Sequence, residues 1–211
     1  MRNVYGLPSF LGTVPDGLGN LRSLRTISIY NSHITKITDQ LGLLRNVTTL
    51  NIYSCNITNL PDLSGISSLY SATFCNNQLS KINGLTGVHA MNLGSNLFTE
   101  VPTVKNSGNL YLLIMNNNPI KNMLSITSYT SLRYLYLANT NISSIPHTID
   151  KLQNLEYLDM KNNKLFFLPT NLLNLPKLTT LNVQNNLFSS SDKQTFQSRF
   201  NQSNPNVTLY I

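Results

Sequence analysis

Leu155-Glu156-Tyr157-Leu158-Asp159-Met160-Lys161-Asn162-Asn163-Lys164-Leu165 is the stretch that decides the fold. Leu158 and Met160 stand two residues apart and point to one side of a short strand. Asp159 and Lys161 point to the other side. Asn163 turns back inward, where its amide can satisfy backbone groups that would otherwise be buried bare. Leu165 and Leu168 return the chain to the apolar side, and Pro169 supports an irregular stretch behind it. The same phrase, L-x-x-L-x-L-x-x-N-x-L, begins again at Leu24, Val47, Leu69, Val88, Leu110, Leu132, Leu155 and Leu178. The steps between these starts are 23, 22, 19, 22, 22, 23 and 23 residues. One copy cannot bury its own apolar side, so copies at this period must stack into a solenoid.

The expected class is α/β: a right-handed solenoid with one parallel β-sheet on its concave face and irregular or 3-10 segments on its convex face. Neighbouring strands should lie about 4.8 Å apart. The inward polar position runs Ser32, Cys55, Asn77, Asn96, Asn118, Thr140, Asn163, Asn186. These residues read as structural, because buried polar groups are normally committed to hydrogen bonds. The whole chain, 1–211, reads as a single domain. Residues 1–23 form a truncated N-terminal repeat, 24–190 the eight copies, and 191–211 a cap. Within the cap, Ser191 to Phe200 carries a helix start signal, with Phe196 and Phe200 four apart. Val207 to Ile211 alternates as a last strand. The back of the third copy, from Ile82 to Val88, is unusually short; it reads as a tolerated deletion in a connecting segment, the alternative being a local change of curvature that shapes a binding groove.

These residues resemble the leucine-rich repeat family over nearly the whole chain. Asn77-Gln78-Leu79-Ser80-Lys81-Ile82 is similar to the repeats of bacterial internalins. Leu11-Gly12-Thr13-Val14-Pro15, followed by Leu18-Gly19-Asn20-Leu21, is similar to the plant receptor type. The resemblance implies a non-catalytic recognition module that binds a protein ligand on its concave face.

Composition narrows the partner. The net charge is +7, yet Lys and Arg are scattered rather than massed, which argues against a nucleic-acid face. No run of apolar residues reaches the length of a membrane span. The N-terminus has no apolar core of a signal peptide. Leu11 to Leu18 matches only the back half of a repeat, so the chain reads as beginning inside one. Cys55 points inward and Cys75 outward, so a disulfide between them is not expected. His33, His89 and His147 fall at different points of different copies. No metal-ligand spacing, nucleophile elbow or phosphate loop occurs. The expectation is therefore no enzyme, no cofactor and no metal.

Three outward rows can be read from the strands. Most positions in them are small and polar, but Leu112, Ile114, Tyr134, Tyr136 and Tyr157 should form one apolar-aromatic patch, flanked by Tyr111, Arg133 and Asp159. Contiguous exposed apolar area commonly marks an interaction site, and Tyr and Arg are enriched in binding hot spots. The competing structural reading is cross-strand packing of aromatics. Tyr30 and Tyr53 form a second candidate. Low charge and abundant Asn and Tyr point to an extracellular or cell-surface protein. An intracellular scaffold or regulatory subunit is the alternative. A third reading, an ice- or carbohydrate-binding surface, rests on the recurrent hydroxyls of Thr35, Thr58, Ser80, Thr99 and Ser143, a row broken at Lys121 and Phe166. Sequons occur at Asn46, Asn56, Asn141, Asn201 and Asn206. Those at Asn46 and Asn56 flank a strand, a poor setting for glycosylation.

Overall fold

The computed structural model describes residues 3–4, 11–14 and 16–211. Part of the truncated repeat expected over 1–23, residues 1–2, 5–10 and 15, lies outside the described residues. The chain divides into two compact units, one of Met1–Phe98 with Pro102–Leu110 and one of Thr99–Val101 with Tyr111–Ile211.

The first unit holds β1 (Asn3–Val4), β2 (Leu11–Thr13), β3 (Thr26–Tyr30), β4 (His33–Lys36), β5 (Thr49–Tyr53), β6 (Ser71–Thr73) and β7 (Ala90–Asn92). β1, β3, β5, β6 and β7 pair in that order, all parallel. Thr26, Thr49, Ser71 and Ala90 stand in one register. β2 and β4 make a separate parallel pair. The second unit holds β8 (Leu112–Ile114), β9 (Tyr134–Tyr136), β10 (Tyr157–Asp159), β11 (Thr180–Asn182), α1 (Ser190–Ser203) and β12 (Thr208–Tyr210). Its strands also pair in chain order and in parallel.

Strand alternation places the core. Leu113, Met115, Leu135, Leu137, Leu158, Met160, Leu181 and Val183 are all completely buried in the second unit. Leu50, Ile52, Ala72, Phe74 and Leu93 do the same in the first. Burying each large side chain contributes about 1.5–3 kcal/mol. Short 3-10 turns cross the back of most coils, as at Asp39–Leu43, Leu124–Ser128, His147–Lys151 and Thr170–Asn174. The short stretch from Ile82 to Val88 has no such turn and contains Gly84 and Gly87, both at positive φ. The helix and last strand read from the C-terminal sequence are present. Ser189 opens α1, its hydroxyl accepting from the Asp192 N–H at 3.1 Å. Phe196 and Phe200 stack at 5.4 Å on its buried side.

The inward polar residues reach backward along the chain. Asn77 donates to the carbonyl of Ile52, in the preceding coil, and accepts from the N–H of Ile57. Asn96 treats Phe74 and Leu79 in the same way. Asn163 donates to Leu137, Met160 and Lys161, and accepts from Ile142 N–H and the Thr140 hydroxyl. Asn186 serves Met160 and Leu165.

The residue before each of these positions is left-handed. Asn31, Ser54, Asn76, Ser95, Asn117, Asn139, Asn162 and Asn185 all have φ between 50° and 58°. Asn tolerates this region better than other non-glycine residues. Much of the Asn content therefore serves two adjacent roles, one bending the chain and the next filling its interior. The bending residues also bond side by side: Asn185 donates to Asn162 at 2.8 Å, and Asn162 to Asn139 at 2.7 Å.

Candidate functional site

The outward face of β8–β12 brings most of the expected patch together. The in-register pairs Leu112–Tyr134 and Tyr134–Tyr157 form one row. Ile114, Tyr136, Asp159, Asn182 and Tyr210 form the next. The Tyr136 and Tyr157 rings lie 4.9 Å apart, tilted by 31°. Leu112, Ile114 and the three tyrosines are half-buried rather than fully open, because each leans on its cross-strand neighbour. Tyr111 borders the row, its carbonyl accepting from the N–H groups of Arg133 and Tyr134.

Arg133 and Tyr134 converge on a carboxylate that sequence reading did not single out. The Arg133 Nε donates to Glu156 Oε1 at 2.7 Å, and the Tyr134 hydroxyl donates to Oε2 at 3.0 Å. The guanidinium also sits 5.5 Å from the Tyr134 ring centroid. Arg133 holds the Glu156 carboxyl below its ordinary range through that hydrogen bond, against some opposing desolvation. A carboxyl with a lowered folded-state pKa contributes stability above its unfolded pKa and loses it as pH falls through the folded value. The pair is exposed, so its contribution is small. Glu156→Gln is expected to lower the melting temperature slightly at neutral pH. The difference from the parent should vanish in acid, where parent Glu156 is protonated, and a difference that persists there would refute the ion-pair account.

Asp159 is 5% exposed, although it shares the outward face with Tyr157. Its Oδ1 accepts from the Lys161 N–H at 3.1 Å, folding the side chain onto the strand end. Asn92 and Asn182 make the same turn onto Gly94 and Gln184. The Tyr157 phenol is held above its ordinary range, first by burial, then by the charge of Asp159 and by Tyr136 and Tyr210. Tyr210 is 45% exposed and also belongs to this face. It was not expected there, because the last strand lacks the repeat phrase; its register with Asn182 could have been found only by aligning Val207–Ile211 on Thr179–Val183.

The second candidate, Tyr30 and Tyr53, lies in the first unit. These rings stack at 5.2 Å and are nearly parallel. Tyr70 and His89 stack at 4.3 Å in the same unit. His33 and His147 are exposed and His89 is half-buried. Cys55 is buried and Cys75 half-buried, and burial raises both thiol pKa values. Among the described residues no cluster of three His, Cys, Asp or Glu side chains could hold a metal, and no helix is long and apolar enough to cross a membrane. Asn46, Asn56 and Asn141 are all exposed, and the Asn46 amide donates to the Arg22 carbonyl at 2.9 Å.

The family described as a leucine-rich repeat region matches residues 110–191. No curated protein matches the chain. Among solved structures, an internalin from Listeria monocytogenes is 19% identical, with TM-score 0.75, covering 96% of this chain and 66% of its own. A plant peptide hormone receptor, solved in complex with its peptide RGF2, is 20% identical with TM-score 0.70, covering 97% and 39%. The APL1 leucine-rich repeat domain is 26% identical with TM-score 0.77, covering 87% and 49%. The chain thus spans less than two thirds of the length of each. Proteins with this fold generally mediate protein–protein contacts and are generally non-catalytic.

Proposed function

We propose that this chain, which has the leucine-rich repeat fold, is a non-catalytic recognition module and that a protein ligand binds the outward face of β8–β12. The observation that carries the reading is the row of Tyr134, Tyr136 and Tyr157 on adjacent strands beside Leu112, Ile114, Tyr111, Arg133 and Asp159. Rigid aromatic area beside a held guanidinium is the composition of a binding hot spot. The setting that best fits the composition is the cell surface or the extracellular space. An intracellular scaffold of the same fold would use the same face. Neither nucleic acid nor a cofactor enters this reading.

The test compares the chain with Tyr134→Ala/Tyr136→Ala/Tyr157→Ala, and separately with Tyr30→Ala/Tyr53→Ala, each checked for folding by circular dichroism. Both are used to capture partners from extracellular and cytosolic fractions. The expected result is a partner retained by the parent and the Tyr30/Tyr53 variant but lost by the triple variant. Equal capture by the triple variant would move the site off this face and reduce the tyrosines to sheet packing. Loss only in the Tyr30/Tyr53 variant would move the site to the first unit.

A further inference from the structure

Asp159 carries a charge that its place in the fold does not require. In two other coils the same backbone turn is closed by a neutral amide, Asn92 onto Gly94 and Asn182 onto Gln184. Asn at 159 would serve as well. A carboxylate there is instead nearly enclosed, at 5% exposure, which is unfavourable for an ion without a partner of opposite charge. Its Oδ1 is occupied by the Lys161 N–H, and its Oδ2 is not among the buried polar atoms left without a partner, so it stays open to solvent on this face. Among the described residues the ion pair is Arg133 with Glu156, so Lys161 does not neutralise Asp159. In register with Asp159 on this face stand Tyr136 on β9 and Asn182 on β11, with Tyr157 two residues earlier and Tyr210 beyond Asn182.

We propose that Asp159, walled by Tyr136 and Tyr157 with Tyr210 at the rim, is a subsite for a cationic side chain, the ammonium or guanidinium of a lysine or arginine on the protein ligand. Aromatic faces attract such cations, and more strongly once they are desolvated. A buried carboxylate supplies the counter-charge and fixes the point of entry, which gives specificity more than bulk affinity. The other charged residues near it in sequence and register are Lys161, just past the end of β10, and the Arg133–Glu156 pair, which is internally neutral. Asn182, in register with Asp159 on β11, and Tyr210 beyond it offer further polar groups on the β11–β12 side.

This inference rests on the reading of the β8–β12 face as the recognition surface, and the two can fail separately. The chain, with its tyrosine rings isotopically labelled, is titrated with N-acetyl-lysine methylamide, N-acetyl-arginine methylamide and the uncharged N-acetyl-norleucine methylamide. The expected result is saturable ring shifts at Tyr136 and Tyr157 from a cationic probe, with norleucine weaker by about tenfold or more. Asp159→Asn, which keeps the turn onto Lys161, should abolish the difference between charged and uncharged probes. Tyr157→Leu, which keeps apolar area but removes the ring, should weaken the cationic probe alone. Equal shifts from norleucine, or unchanged cation binding in Asp159→Asn, would overturn the proposal. If the probes fail while the triple tyrosine variant still loses its protein partner, the cation subsite is wrong and the face stands.

Discussion

Asn163→Ala is expected to destabilise the second unit by about 2–5 kcal/mol, in the upper part of the range for point substitutions. Alanine leaves the buried Ile142 N–H without its acceptor and removes three donated bonds, to Leu137, Met160 and Lys161. The carbonyls keep or gain other partners: the Thr140 hydroxyl, freed from Asn163, can turn to Leu137, Met160 accepts from Asn186, and Lys161 from the Asn139 N–H. The stranded N–H and the space left behind therefore dominate the loss. Asn163→Asp distinguishes this account from simple space-filling. Aspartate has the same shape but can donate nothing when ionised, and it would set a buried negative charge against three carbonyl oxygens. It should be at least as damaging as alanine. Denaturant melts of the two variants would decide; an aspartate variant near the parent would mean that the position is filled for volume alone.

The second large effect is expected at the back of the first unit. Gly19, Gly42 and Gly65 recur at steps of 23 residues. A Cβ on Gly65 would fall inside the carbonyl oxygen of Gly42, and one on Gly42 would lie 2.7 Å from the carbonyl oxygen of Asp62. These neighbours are backbone, so they cannot swing aside. Gly65→Ala should therefore force adjacent coils apart and lower stability by about 1–3 kcal/mol or more. Gly108→Ala is the control. Its Cβ would meet nothing within 4 Å, and its φ lies outside the left-handed region. That change should be neutral or stabilise by about 0.4–1 kcal/mol through the unfolded chain. A Gly65→Ala protein that melts with the parent would show that the coils can separate freely at this point.

The parts of the structure legible in the sequence are those that repeat. Each L-x-L pair became a strand with its leucines inside, because alternation and period leave no other way to bury them. The inward polar position was readable for the same reason, including at Cys55 and Thr140. The left-handed residue before it was not, although doublets such as Asn76-Asn77, Asn117-Asn118 and Asn162-Asn163 carry the signal. A repeat pattern reports what a side chain faces, whereas φ is reported only by residue type. The glycine contacts were missed likewise, since closeness of two backbones leaves no mark beyond a small residue recurring in step. On the outward face, the tyrosine rows followed directly from register. Glu156 did not, because it sits just before its strand, and its role depends on how long side chains from two coils converge. Asp159 was expected on the rim of the patch. Its burial comes from a local turn onto Lys161, which the three-row scheme does not contain.

The backward reach of the ladder amides has a bearing on how the protein is made. Asn77, Asn96, Asn163 and Asn186 each satisfy backbone groups of the coil before their own. A coil leaving the ribosome is therefore incomplete until the ladder residue of its successor has also emerged. Folding cannot keep pace with translation residue by residue; it must trail by one turn of the solenoid and close each coil as the next arrives. A ribosome paused within a repeat would leave the newest coil with bare amides and carbonyls, open to a chaperone, while every coil upstream of it is already sealed.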